Sequence, residues 1–155
     1  AEPLCRSGRQ GLRPRTRPVF EGGTEDEAQL SCSSGRDRVI ARLLAEALGT
    51  FFLFATVMGA GIMADNLAGG NVAVALIGTT LPIGAILYVI IVMLGPVSGA
   101  HFNPVVTLVF RLRGEIESGA ALAYVITQVA SGILAAFVVH LMFDLPILQV
   151  ADTPR

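Results

Sequence analysis

Three apolar runs, each long enough to cross a lipid bilayer, constrain this chain more than any other feature. The middle one, VAVALIGTTLPIGAILYVIIVML (Val72 to Leu94), carries no charged residue. A hydrocarbon core of about 30 Å needs roughly 20 apolar helical residues. Lipid offers no partners for backbone N–H and C=O groups, so such a run predicts a helix. VIARLLAEALGTFFLFATVMGAGIMA (Val39 to Ala64) predicts a second span, with Arg42 at its start and Glu46 one turn further in. AALAYVITQVASGILAAFVVHLMF (Ala120 to Phe143) predicts a third. DNLAGGN (Asp65 to Asn71) and RLRGEIESG (Arg111 to Gly119) are the polar connections. The chain is 53% hydrophobic and 15% charged, too apolar for an ordinary soluble domain. An all-α membrane protein is expected.

Charge is segregated along the chain. All 11 basic residues are arginines, and seven of them precede Val39. Arg36, Arg38 and Arg42 flank the first span, and Arg111 and Arg113 separate the second from the third. The connection after the first span holds Asp65 and no arginine. The positive-inside rule then predicts a multi-pass protein of the cell membrane with a cytoplasmic N-terminus. Residues 1–38 show no helical or strand period and read as a disordered cytoplasmic arm. A secretory signal would need an apolar core soon after its basic region, and none comes before Ala41. Residues 144–155 read as a short external tail. A net charge of −1 argues against nucleic acid as a partner. Cys5 and Cys32 both lie in the arm and read as incidental thiols, because no disulfide framework is visible. His101 and His140 have no cysteine or carboxylate at ligand spacing, so neither a metal nor another cofactor is expected.

GPVSGAHFNPVVTLVF (Gly95 to Phe110) interrupts this pattern. Its last six residues are apolar but too few to cross a bilayer. Arg111 and Arg113 then return the chain to the side it came from. The expected structure is a re-entrant loop followed by a half-helix. Asn103 is a favoured N-cap residue, and Pro104 suits the first helical position, where no N–H is needed. Non-helical backbone at membrane depth persists only against protein or a wet cavity. The half-helix would direct its positive end into the membrane. The Asn103 amide would offer donors there, and the carbonyls of Gly95 to Ala100 would offer acceptors. That track suits small neutral polar molecules and disfavours cations. The competing reading is a cytoplasmic loop with an interfacial helix, which VVTLVF serves poorly because it has no polar face.

SGAHFNPVVT resembles the first signature loop of the aquaporin family, the major intrinsic proteins. AEALGTFFL (Ala45 to Leu53) is similar to the family's first helix, and YVITQVASGILAA (Tyr124 to Ala136) to its third. The resemblance covers residues 39–143 and points to the first repeat of a bacterial-type member. It implies three transmembrane helices and one re-entrant half-helix, with a second, inverted repeat needed for a pore. Asn103 and Pro104 would belong to the first pore signature. His101, Gly99 and Ala100 would line the cytoplasmic vestibule. Glu46 and Gln128 would buttress the loop, although an intramembrane carboxylate also raises proton transfer. Full-length members are implied to be homotetramers of separate pores.

Two departures stand out. Val105 replaces the alanine of Asn-Pro-Ala, which implies a repacked contact between half-helices. Ile83, counted back from Asn103, aligns with the second-helix position of the selectivity filter. An aliphatic residue there implies a wider constriction, suited to glycerol or metalloid hydroxides such as arsenite over strict water. The chain carries one repeat, with no second Asn-Pro motif. The expectation is therefore a passive channel for water or small uncharged solutes, present as an incomplete half. The alternative is a non-conducting, truncated membrane protein that acts as an assembly partner. An ion-coupled transporter would rest on Glu46 alone. An enzyme is not expected, because no nucleophile–base pair, phosphate loop or metal cluster appears.

Overall fold

A computed structural model describes residues 24–146, with side chains from Gly35 onward. The chain divides into two units, Ala1–Ser34 and Gly35–Arg155, and the site lies wholly in the second. The elements are α1 (Thr24–Leu67), α2 (Val72–Ser98), α3 (Pro104–Leu112) and α4 (Ser118–Met142). Among the described residues no strand occurs. The stretches Gly35–Leu67, Val72–Ser98 and Ser118–Met142 are long and apolar enough to cross a membrane. With nine residues, α3 is about 14 Å long, less than half of a bilayer's hydrocarbon core. The protein is thus all-α, with three spanning-length helices and one short helix in the expected order.

Two boundaries differ from expectation. The first helix is helical from Thr24, not from Val39. No proline lies between Pro18 and Pro82, and extending a nucleated helix adds one hydrogen bond for each residue fixed. The part of the expected arm over residues 1–23, and the expected tail beyond Pro146, lie outside the described residues. The second helix runs through Gly95 and Pro96 to Ser98, four residues past its expected end. Proline is tolerated inside membrane helices, where it removes a single donor. The Gly95 carbonyl is already taken, by the Gly99 N–H at 2.9 Å. Gly99, at φ 92°, makes the break, because only glycine takes the left-handed conformation at no steric cost.

The turn from α1 to α2 is tight. Gly69 and Gly70 both have positive φ, and Asn71 Oδ1 accepts from Ala73 N at 3.1 Å and Val74 N at 3.3 Å. That caps two of the donors a helix start leaves open.

The packing is built on small residues. On α4, Ala121, Tyr124, Gln128, Gly132, Ala135 and Val139 are buried and recur at three- and four-residue intervals, one helical face. On α1 the buried stripe contains Ala45, Glu46, Gly49 and Thr50. A Cβ at Gly132 would rest 3.7 Å from the Phe54 ring, and one at Gly78 would lie 3.2 Å from the Ala64 Cβ. Such positions let helices approach closely where lipid supplies no hydrophobic drive between them. Outward residues such as Leu44, Leu81, Tyr88 and Leu122 are apolar and exposed, as a lipid-facing surface requires. α3 packs against α4.

Candidate functional site

The connection between α2 and α3 is short and unusually bent. Gly99, Ala100 and Phe102 all have positive φ, at 92°, 54° and 47°. For a residue with a Cβ this conformation costs about 1–2 kcal/mol, so Ala100 and Phe102 must be held from outside. Glu46 of α1 holds them. Its Oε1 accepts from His101 N at 3.0 Å and from Ser98 Oγ at 2.7 Å. Its Oε2 accepts from Phe102 N at 2.8 Å and from Gln128 Nε2 at 2.7 Å. Four donors fill the four lone-pair sites a carboxylate offers. Glu46 is fully buried, and a buried charge survives only when it is hydrogen-bonded in this way. Ser98 Oγ also accepts from Ala100 N at 3.2 Å, and the Tyr124 hydroxyl donates to Ser98 O at 2.9 Å. Every backbone N–H from Gly99 to Phe102 thus has a named acceptor.

Thr107, on the buried face of α3, joins the loop to α4. Its hydroxyl accepts from Gln128 Nε2 at 3.0 Å, lies 3.2 Å from Asn103 O and 3.1 Å from His101 Nδ1. Phe110 and Tyr124 flank the His101 ring, with centroids at 4.5 Å and 5.4 Å. His101, Gly99, Ser98, Tyr124, Arg42 and Glu115 border a cavity of ≈ 310 Å³.

Asn103 caps α3 in extended conformation, with Pro104 as the first helical residue. Its Oδ1 accepts from Val105 N at 2.8 Å. The amide oxygen is thereby committed to the helix, and the two N–H donors are left for another acceptor. Asn103 is exposed, as is Val105 at 67%. Pro104 and Gln128 border a second cavity of ≈ 370 Å³, with Phe54, Met58 and Gly132.

The structure brings most of the sequence-derived residues together. Glu46, Gln128, His101, Gly99, Ala100, Asn103, Pro104 and Val105 lie within or beside one hydrogen-bonded unit. Ala100 is half-buried, and its N–H is turned to Ser98. Of the carbonyls expected to offer acceptors, those of Gly95 and Ser98 are already occupied, by Gly99 N–H and Tyr124 O–H. Ile83 stands apart, half-buried on α2, about 22 Å of helix axis before Ser98.

Thr107, Tyr124 and the pair Gly49–Phe102 were not singled out by sequence. A hydroxyl residue inside an otherwise apolar half-helix was the available signal for Thr107. The partners of Tyr124 and Gly49 are distant in sequence, so neither pairing has a local signal. The Thr50 hydroxyl is fully buried and, among the described residues, is the one buried side-chain polar atom with no partner.

The family model described as Major intrinsic protein matches residues 34–152. The chain is 53% identical to the aquaglyceroporin AqpS of Rhizobium meliloti over 114 residues, 74% of this chain and 48% of that one. It is 41% identical to aquaporin NIP1-1 of Arabidopsis thaliana over 106 residues, 68% of this chain and 35% of that one. It is 34% identical to aquaporin Z of Photorhabdus laumondii over 104 residues, 67% of this chain and 44% of that one. The chain therefore spans half or less of the length of these relatives. No solved structure matches it. Family model, relatives and three apolar helices concur that this chain is a membrane protein of the major intrinsic protein family.

Proposed function

We propose that these residues form the first half of a passive channel for water and small uncharged solutes. The observation that carries this reading is Asn103. Its oxygen is locked by Val105 N–H, so its N–H donors are presented at the start of a short helix whose positive end repels cations. The strained loop before it is held by Glu46 and Gln128, which gives those two residues the role of buttress. With its lone pairs already filled, Glu46 is poorly placed to relay protons. His101 and Gly99 line the cavity through which solutes would approach.

Glycerol-sized solutes and metalloid hydroxides are favoured over strict water. Ile83 as an aliphatic filter residue supports this, as does the name aquaglyceroporin carried by the Rhizobium relative. Arg36, Arg38, Arg42, Arg111 and Arg113 support a cytoplasmic N-terminus in the cell membrane. A homotetramer is the expected assembly of the complete protein.

A second reading has its own observation. Val105, Leu108, Val109 and Leu112 of α3 are exposed apolar residues, a face that needs covering. In that reading the chain covers it by assembling with a partner and conducts nothing itself. Swelling of proteoliposomes in water, glycerol and arsenite gradients separates the two. Solute entry through a full-length channel that carries these residues supports the channel. Entry only when a partner is present supports the assembly role.

A further inference from the structure

We infer that Thr107 fixes the ring tautomer of His101, so that the neutral imidazole presents a bare Nε2 acceptor to the cavity beside Gly99. The inference deepens the channel reading and rests on it only for the use made of that acceptor.

The hydrogens around one hydroxyl have to balance. Thr107 Oγ1 has one hydrogen to give and two lone pairs to fill. Gln128 Nε2 must be a donor here, because its other contact is the Glu46 carboxylate at 2.7 Å. One lone pair of Thr107 is therefore filled, at 3.0 Å. The Asn103 carbonyl can only accept: it takes the Thr107 N–H at 3.0 Å and, with its second lone pair, the Thr107 hydroxyl hydrogen at 3.2 Å. The remaining contact is His101 Nδ1 at 3.1 Å. With the hydroxyl hydrogen spent, Nδ1 must be the donor into the second lone pair. The weaker approach of Gln128 Oε1, at 3.4 Å, cannot compete, because the same amide already donates to this hydroxyl. All three short contacts are satisfied at once only with the proton on Nδ1. The opposite tautomer needs the Thr107 hydrogen for Nδ1 and takes it from Asn103 O, which then keeps only the Thr107 N–H.

The other ring nitrogen then faces the cavity. His101 is among its lining residues, and a Cβ built on Gly99 would lie 3.5 Å from Nε2. Nε2 has no hydrogen-bond partner among the described residues. It is not sealed off either, since Thr50 Oγ1 is the one buried, unpartnered side-chain polar atom among them. Phe110 and Tyr124 hold the ring plane. A solute carrying hydroxyl donors would thus meet an acceptor on His101 before reaching the donors on Asn103. Thr107 is a positioning residue in this scheme: it reaches the solute only through His101 and Asn103.

The test is nitrogen NMR of ¹⁵N-histidine-labelled protein in lipid bilayers, at about pH 8.5, well above the ordinary imidazole range. A His140→Gln background leaves His101 as the one imidazole, since the chain has two histidines. The expected spectrum shows a protonated Nδ1 and an unprotonated Nε2. A protonated Nε2 as the main species overturns the inference with no variant needed. Thr107→Ser should keep the Nδ1–H form. Thr107→Val removes the acceptor, and a buried donor left without one is costly, so the proton should move to Nε2. An unchanged Nδ1–H form in Thr107→Val would show that Thr107 does not set the tautomer. The spectrum is read without flux. A correct tautomer in a protein that passes no neutral solute would sink the channel reading and leave this one standing.

Discussion

Gly49 and Phe102 fit together as slot and ring. A Cβ on Gly49 would fall inside the Phe102 side chain, 2.6 Å from Cζ and nearer still to Cε1 and Cδ1. Phe102 is 1% exposed, and its own φ is left-handed at 47°. The backbone that places Asn103 thus depends on an absent side chain in another helix. Gly49→Ala should lower stability by about 1–3 kcal/mol, the usual range for overpacking a filled core. Combining it with Phe102→Leu should recover part of the loss, because neighbours sharing one volume are not additive. Thermal unfolding of the variants in detergent, followed by circular dichroism, checks both statements.

Glu46→Gln keeps the shape of the side chain and loses two acceptor sites. Its new NH₂ would face donors, Phe102 N–H with Gln128 Nε2 or Ser98 Oγ with His101 N–H, whichever way the amide turns. At least one buried donor is left unpaired, at a cost of about 1–3 kcal/mol for the group and more where the lost bond was charge-assisted. The expected result is a lower yield of folded protein and a lower melting point. Unchanged stability would remove Glu46 from the role of buttress.

The α3 segment should enter and leave the membrane on one side. Single cysteines at Arg38 and Arg113, in a chain freed of Cys5 and Cys32, should both react with an impermeant thiol reagent from that side. A cysteine at Gly70, in the turn between α1 and α2, should react from the other. Labelling of positions 70 and 113 from the same side would contradict the re-entrant path.

Gly99→Ala should weaken the same loop. Its φ of 92° opposes a side chain, while the added carbon would meet His101 Nε2 only in ordinary contact, at 3.5 Å. A loss of roughly 1–2 kcal/mol is expected from the left-handed backbone alone, again read as a fall in melting point.

Much of this arrangement is legible in the sequence. Runs of apolar residues announced three spans because lipid leaves the backbone no other solution. Asn103 and Pro104 announced a helix start because capping chemistry is local. Glu46 was conspicuous as a carboxylate in an apolar run. Gly95 and Pro96 misled: they looked like the break, whereas the helix continues to Ser98 and turns at Gly99. A proline removes one donor and does not by itself end a membrane helix. The partnerships of Thr107, Tyr124 and Gly49 were illegible for another reason. Each acts through a partner in another element or around a bend, and no local pattern encodes a hydroxyl shared by Gln128, Asn103 and His101.

The central claim is that Asn103 presents neutral donors at the entrance of α3 and so favours uncharged solutes. It is tested most directly by measuring glycerol flux and cation conductance of a full-length channel that carries these residues, in liposomes, with and without Asn103→Asp. Aspartate can still accept from Val105 N–H, so the cap and the fold should survive. The account predicts glycerol entry without cation leak in the native protein, and cation leak or cation block in the variant. Identical neutral flux and identical cation exclusion in both would contradict it.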